Sequence, residues 1–94
     1  MLVTNMLTRG GNKASNQFII TRSNREVFQS YMTTIAVKYN DGLVILDARW
    51  LDYPLRSRTT SYYRNEFLGE DFKTTLRKVK DGTYKTGNLN NRIA

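Results

Sequence analysis

Between residues 49 and 64 the chain reads RWLDYPLRSRTTSYYR, so that Arg49, Arg56, Arg58 and Arg64 alternate with Trp50, Tyr53, Tyr62 and Tyr63. Guanidinium groups hold phosphates through several donors at once, and flat rings stack on bases. The same mixture also forms hot spots in protein interfaces. Its chemistry is therefore recognition of a polyanion or a protein. Adjacent residues on a helix diverge by about 100°, so Tyr62 and Tyr63 cannot both be buried easily. One of them, together with Arg56, Arg58 and Arg64, is expected at a surface contact, while Trp50 and Phe67 are expected to pack in the core.

A second basic group follows. Lys73, Arg77 and Lys80 recur at helical spacing and form a stripe along one flank, which Lys78 would extend. Such a stripe suits phosphate contacts that position a nucleic acid without reading its sequence, although a solvated helix face has the same composition. The predicted contact set is thus Arg49, Arg56, Arg58, Tyr62, Tyr63, Arg64, Lys73, Arg77 and Lys80.

Little in the chain suggests catalysis or a cofactor. Histidine and cysteine are absent, which removes the commonest general base, the thiolate nucleophile and the usual zinc ligands. Asp47 and Asp52 are close in sequence, and Asp41 could approach Glu66, but no carboxylate spacing marks a nuclease. Asp41 is accounted for by a turn, Asp52 by a loop, and Glu70 and Asp71 by a helix start. Gly10-Gly11 lacks the Gly-Lys-Ser/Thr ending of a phosphate loop. No metal, no cofactor and no enzymatic activity are expected.

The scaffold must be small. A chain of 94 residues makes one domain with one modest core. Fifteen Lys and Arg against eight Asp and Glu give a net charge of +7, which favours a polyanionic partner and also keeps a small protein soluble. Without cysteine there is no disulfide framework, which points to a reducing compartment. The start, MLVTNMLTRGGNK, does not read as a signal peptide, and the longest apolar run, Leu43–Leu46, is too short to cross a bilayer. No membrane association is expected.

Strands are expected at Gln17–Thr21, Glu26–Tyr31, Thr33–Tyr39 and Leu43–Asp47, with turns at Ser23-Asn24 and Asn40-Asp41-Gly42. In the third of these, alternation places Ile35, Val37 and Tyr39 on one face and Ala36 and Lys38 on the other. Pro54 breaks regular structure across 48–58. A helix capped by Thr59 or Thr60 runs to Leu68, with Gly69 at its left-handed end. A second fits Glu70–Lys80, with Phe72, Leu76 and Val79 facing the sheet at Ile35, Val37 and Ile45. Thr83–Thr86 could add a last strand. The fold class is α+β: an antiparallel meander of four to five strands with two short C-terminal helices on one face. Residues 1–15 read as an N-terminal arm or edge strand, 16–86 as the domain and 87–94 as a flexible tail.

NQFII at 16–20, FQSY at 28–31, the Ile35-Ala36 pair, W-x-x-Y at 50–53, TT at 59–60, YYR at 62–64 and FL at 67–68 together resemble small accessory proteins of tailed bacteriophages. The likeness covers about residues 16–70 and departs from the pattern at Pro54 and across 56–58. It implies action in the bacterial host cytoplasm, with no activity or site residues to transfer. Small phage proteins of this kind bind and block, whether on nucleic acid, on a host nucleoprotein complex or on a host protein with an acidic groove, as anti-CRISPR proteins do. The sequence thus leads to a nucleic-acid-binding accessory protein, with a protein–protein inhibitor of a host enzyme or defence system as the alternative.

Overall fold

A computed structural model describes residues 1–50 and 58–90. They form a six-stranded sheet in chain order: β1 (Leu2–Leu7), β2 (Lys13–Thr21), β3 (Arg25–Ser30), β4 (Thr33–Tyr39), β5 (Val44–Asp47) and β6 (Lys85–Gly87). Two helices, α1 (Arg58–Leu68) and α2 (Phe72–Lys80), lie between β5 and β6. The architecture is the expected α+β one. Strands β1 to β5 pair antiparallel, whereas β6 joins β5 in parallel. A parallel neighbour requires a crossover, and the two helices supply it.

The first residues are not a loose arm. β1 is an edge strand, and β2 begins at Lys13, ahead of the predicted Gln17. At the other end, residues 88–90 are fastened down. The buried carboxylate of Asp47 accepts from Leu89 N–H at 3.2 Å and Asn90 Nδ2 at 3.0 Å, and Asn90 also bonds both backbone groups of Thr34. The expected tail begins instead as ordered chain; 91–94 lie outside the described residues.

Pairing register decides which sheet face is covered. Phe28, Ala36 and Leu46 lie side by side and belong to the core that the helices cover, with Ile19, Tyr63, Phe67, Trp50 and Tyr84. Val27, Val37 and Ile45 form the adjacent row on the opposite face. The expected alternation along β4 is therefore broken. A bulge opposite Phe28 and Gln29 inserts Ile35 as an extra residue, so that Ile35 joins Ala36 in the helix-covered core. Phe72, Leu76 and Val79 pack against that core, which contains Ile35 but not Val37 or Ile45, two of the three partners predicted for them. Lys38 also turns toward the helices. Its ammonium donates to the carbonyl of Phe67 at 2.7 Å and sits 4.4 Å above the Phe67 ring, a favourable place for a cation at a helix C-terminus.

Both helices have readable ends. α1 starts one residue before the proposed caps, so Thr60 falls within its first turn, where its hydroxyl meets Ser30 Oγ at 3.0 Å. Gly69 ends it with φ 71°. Asp71 caps α2, accepting from Thr74 N–H at 2.8 Å, and this bond holds its carboxyl below the usual range. Glu70, predicted as part of that helix start, has a different role. Its carboxylate receives Lys78 Nζ at 2.8 Å, Tyr84 OH at 2.7 Å and Thr75 Oγ1 at 2.7 Å.

Candidate nucleic-acid interface

Strand register brings several loops to one end of the sheet. Leu7 pairs with Lys13 and Gln17 with Ser30, which places the Thr8–Asn12 loop beside the Tyr31-Met32 turn. The Ser30–Thr60 contact adds the first turn of α1. At this end Arg9, Arg58, Thr59, Tyr62 and Tyr63 line an open hollow. The Arg9 guanidinium lies 4.8 Å from the centre of the Tyr62 ring, within cation–π range. Tyr62 in turn meets Tyr63 edge to face, with centroids 4.8 Å apart. Tyr63 is buried and Tyr62 half-exposed, which separates the pair as their helical spacing requires.

Arg9 is missing from the predicted set. It lies 53 residues from Tyr62, in a loop whose glycines read only as flexible. No local signal pairs them. Only the register of β1 on β2 and the seating of α1 bring them together.

Of the predicted contacts, Arg58 and Tyr62 meet in the hollow, and Arg49 is exposed at the same end of the sheet, just after β5. Arg56 lies outside the described residues, as do Tyr53 and Pro54. Arg64 must be removed from the surface set, because it is 0% exposed. The helical face that carries Thr60, Tyr63 and Phe67 into the core carries Arg64 with them. Its guanidinium stacks 5.3 Å from the Phe72 ring and donates from Nη2 to Asn65 Oδ1 at 3.0 Å, while Nε and Nη1 have no hydrogen-bond partner among the described residues. Burial lowers its pKa, against the raising influence of Glu70.

Lys73, Arg77 and Lys80 are exposed along α2 and, with Leu76, Thr74 and Asp81, line a second groove. None of the described residues lining it also lines the Arg9 hollow. Lys78 does not extend the stripe. Its bonds to Glu70 and Tyr84 raise its pKa. Burial alone would raise the Glu70 pKa, but the donors from Lys78, Thr75 and Tyr84 outweigh it and hold the carboxyl below its ordinary value.

The carboxylates that could have formed an acidic centre instead accept from nearby backbone and side-chain donors. Asp41 accepts from Leu43 N–H at 3.0 Å, Asp47 from Arg49, Leu89 and Asn90, and Asp81 from Thr83. Asp52 lies outside the described residues. Among the described residues no three acidic side chains gather closely enough to hold a metal ion, and no helix is long and apolar enough to cross a membrane.

The chain belongs to a family of unknown function, DUF8033, matched over residues 1–84. Neither a curated protein nor a solved structure matches it significantly.

Proposed function

We propose that this chain is a non-enzymatic accessory protein, of the phage type its sequence resembles, that binds nucleic acid or a nucleoprotein complex in the host cytoplasm. The observation that carries the reading is the Arg9–Tyr62 stack beside Arg58. It offers a base a ring to stack on and a phosphate two guanidinium groups, on a chain of net charge +7. Lys73, Arg77 and Lys80 provide a phosphate-binding rail along α2, which positions without reading sequence. The backbone-bonded carboxylates support a binding role over a chemical one.

The α2 groove supports a second reading. An apolar side chain, Leu76, flanked by Lys73, Arg77 and Lys80 suits an acidic protein surface, as for an inhibitor of a host enzyme or defence system. Binding of single- and double-stranded DNA and RNA across a salt series separates the two. Phosphate contacts make log affinity fall linearly with log salt, by about 0.7 to 0.9 per contact. Affinity with that slope supports the first reading. Absence of nucleic-acid binding at about 150 mM salt, with capture of a protein from nuclease-treated lysate, would replace it with the second.

A further inference from the structure

The hairpin of β2 and β3 carries a charge arrangement that the fold does not neutralise. Its short loop, Ser23-Asn24, is closed by Arg22 and Arg25, with Arg22 N–H donating to the Arg25 carbonyl at 2.9 Å. Residues opposed in this way project to one face of the ladder, and like charges so placed destabilise a hairpin. That face is the one away from the helices, since Arg25 stands two residues before Val27 and opposite Tyr39. Among the described residues neither guanidinium pairs with a carboxylate. Glu26 projects to the helix side, 3.7 Å from Lys38 Nζ, and Asp41, on the neighbouring turn, accepts from Leu43 N–H. The arginines are also held in place. Arg25 donates from Nη1 to Asn24 Oδ1 at 2.8 Å and lies 6.0 Å from the centre of the Tyr39 ring. The carbonyls of Asn24 and Ser23 accept from Asn40 N–H at 3.0 Å and Asn40 Nδ2 at 3.3 Å, which pins the loop to the next turn. With Met1, the side chains of Arg22, Ser23 and Arg25 line an open hollow. A pair of guanidinium groups and a hydroxyl, pre-set around an opening that no carboxylate lines, fit a phosphate group.

We propose that the Arg22–Arg25 turn is a second phosphate site, through which the chain bridges two segments of nucleic acid. The proposal rests on the nucleic-acid reading of the Arg9 hollow. An anion between Arg22 and Arg25 turns a like-charge opposition into a bidentate clamp, so the occupant is a backbone phosphate. Geometry selects bridging over one longer footprint. The Arg9 loop precedes β2 and Arg22 follows it, so the nine residues of that strand separate the two sites. The Arg9 hollow also opens beside α1, on the helix side of the sheet, whereas Arg22 and Arg25 project to the other face. Sites at opposite ends and on opposite faces cannot lie along one straight segment, and each is left to take its own.

The test uses the whole chain and two non-complementary single strands, one biotinylated and held on beads, the other fluorescent. At low salt, where phosphate contacts are strongest, the wild type should carry the fluorescent strand onto the beads. The Nε–H signals of Arg22 and Arg25 should move in nitrogen-resolved NMR as strand is added. Arg22→Gln with Arg25→Gln should lower the captured strand about tenfold, because two charge-assisted contacts are lost. Affinity for one strand, read by anisotropy, should fall less than about threefold, because the Arg9 hollow is intact. A chain that binds one strand but carries none to the beads would overturn the second site and leave the first standing. Bridging that survives in the double variant would do the same, by assigning it to α2 or to a second copy of the chain. Absence of any strand binding would remove the Arg9 reading, and this proposal with it. If the double variant fails to fold by circular dichroism, the wild-type spectra decide: Arg22 and Arg25 signals unmoved at saturation overturn the proposal.

Discussion

Arg9 and Arg64 both lie against an aromatic ring, at 4.8 Å from Tyr62 and 5.3 Å from Phe72, yet they belong to opposite kinds of environment. Arg9 is exposed, and its ring partner keeps part of its surface in water. Arg64 is buried beside Phe72, with two donor nitrogens, Nε and Nη1, unpartnered among the described residues. In water, cation and ring each remain available to an incoming phosphate or base. In the interior, the same contact compensates only in part for a desolvated charge. An arginine among aromatics thus indicates recognition only once burial is known.

The largest effect expected from this contrast is on stability at Arg64. Arg64→Ala removes a fully buried stem and should destabilise by about 2–4 kcal/mol in chemical denaturation. Arg64→Met keeps most of the volume but discards the unpartnered charge, and should be neutral or stabilising by about 1–2 kcal/mol. A methionine variant as unstable as the alanine one would mean that the charge itself, through Glu70, holds the helices together. Single-strand affinity should be unchanged by Arg64→Met, since the side chain reaches no surface.

At the open hollow the pattern should invert. Arg9→Ala should leave stability within about 0.5 kcal/mol, and Tyr62→Ala, whose ring also packs against the core, should cost about 1–2 kcal/mol while leaving the protein folded. Tyr62→Ala should weaken single-strand binding by about 1–3 kcal/mol, with duplex affinity little changed, because stacking needs an unpaired base. Arg9→Ala should also flatten the salt slope by about one contact. Equal losses on single and double strands, measured by fluorescence anisotropy, would remove stacking from the account and leave charge alone.

A smaller effect concerns pH. The Glu70 carboxyl is held below its ordinary value. Its contribution is therefore fully present above the unfolded carboxyl pKa, near about 4.3, and fades as pH falls toward the lower folded value. Glu70→Gln should cost about 1 kcal/mol at neutral pH and should flatten the acid limb of a stability–pH profile below about pH 5. An unaltered acid limb would show that the Lys78–Glu70–Tyr84 cluster contributes nothing. Between about pH 6 and 8, with no histidine or cysteine, stability should be nearly flat.

Much of the scaffold was legible because it is local. The turn at Asn40-Asp41-Gly42 specifies the hairpin of β4 and β5, and Gly42 does adopt φ 98°. Asp71 and Gly82 bracket α2 as capping rules require. The bulge was not legible, because one inserted residue leaves no mark on composition and yet sends Ile35 to the helix side. Nor was the parallel pairing of β6, which the chain's course after α2 decides. Of the candidate surface, Arg58, Tyr62 and the α2 stripe could be read from spacing. Arg9 could not, because its neighbour is reached only through tertiary packing. Arg64 was misassigned because the sequence gives its type and spacing but not the identity of the buried face.

The closure at Asp47 also sets an order of assembly. The hairpins from β1 to β5 join segments close in sequence, and such contacts form early and fast. The carboxylate of Asp47 must wait for Leu89 and Asn90, more than forty positions later. Until that segment is in place, the β5 edge of the sheet lacks the bonds that tie residues 88–90 to it. Leu89 and Asn90 thus act as a latch, and their loss would leave the hairpins but not this closure.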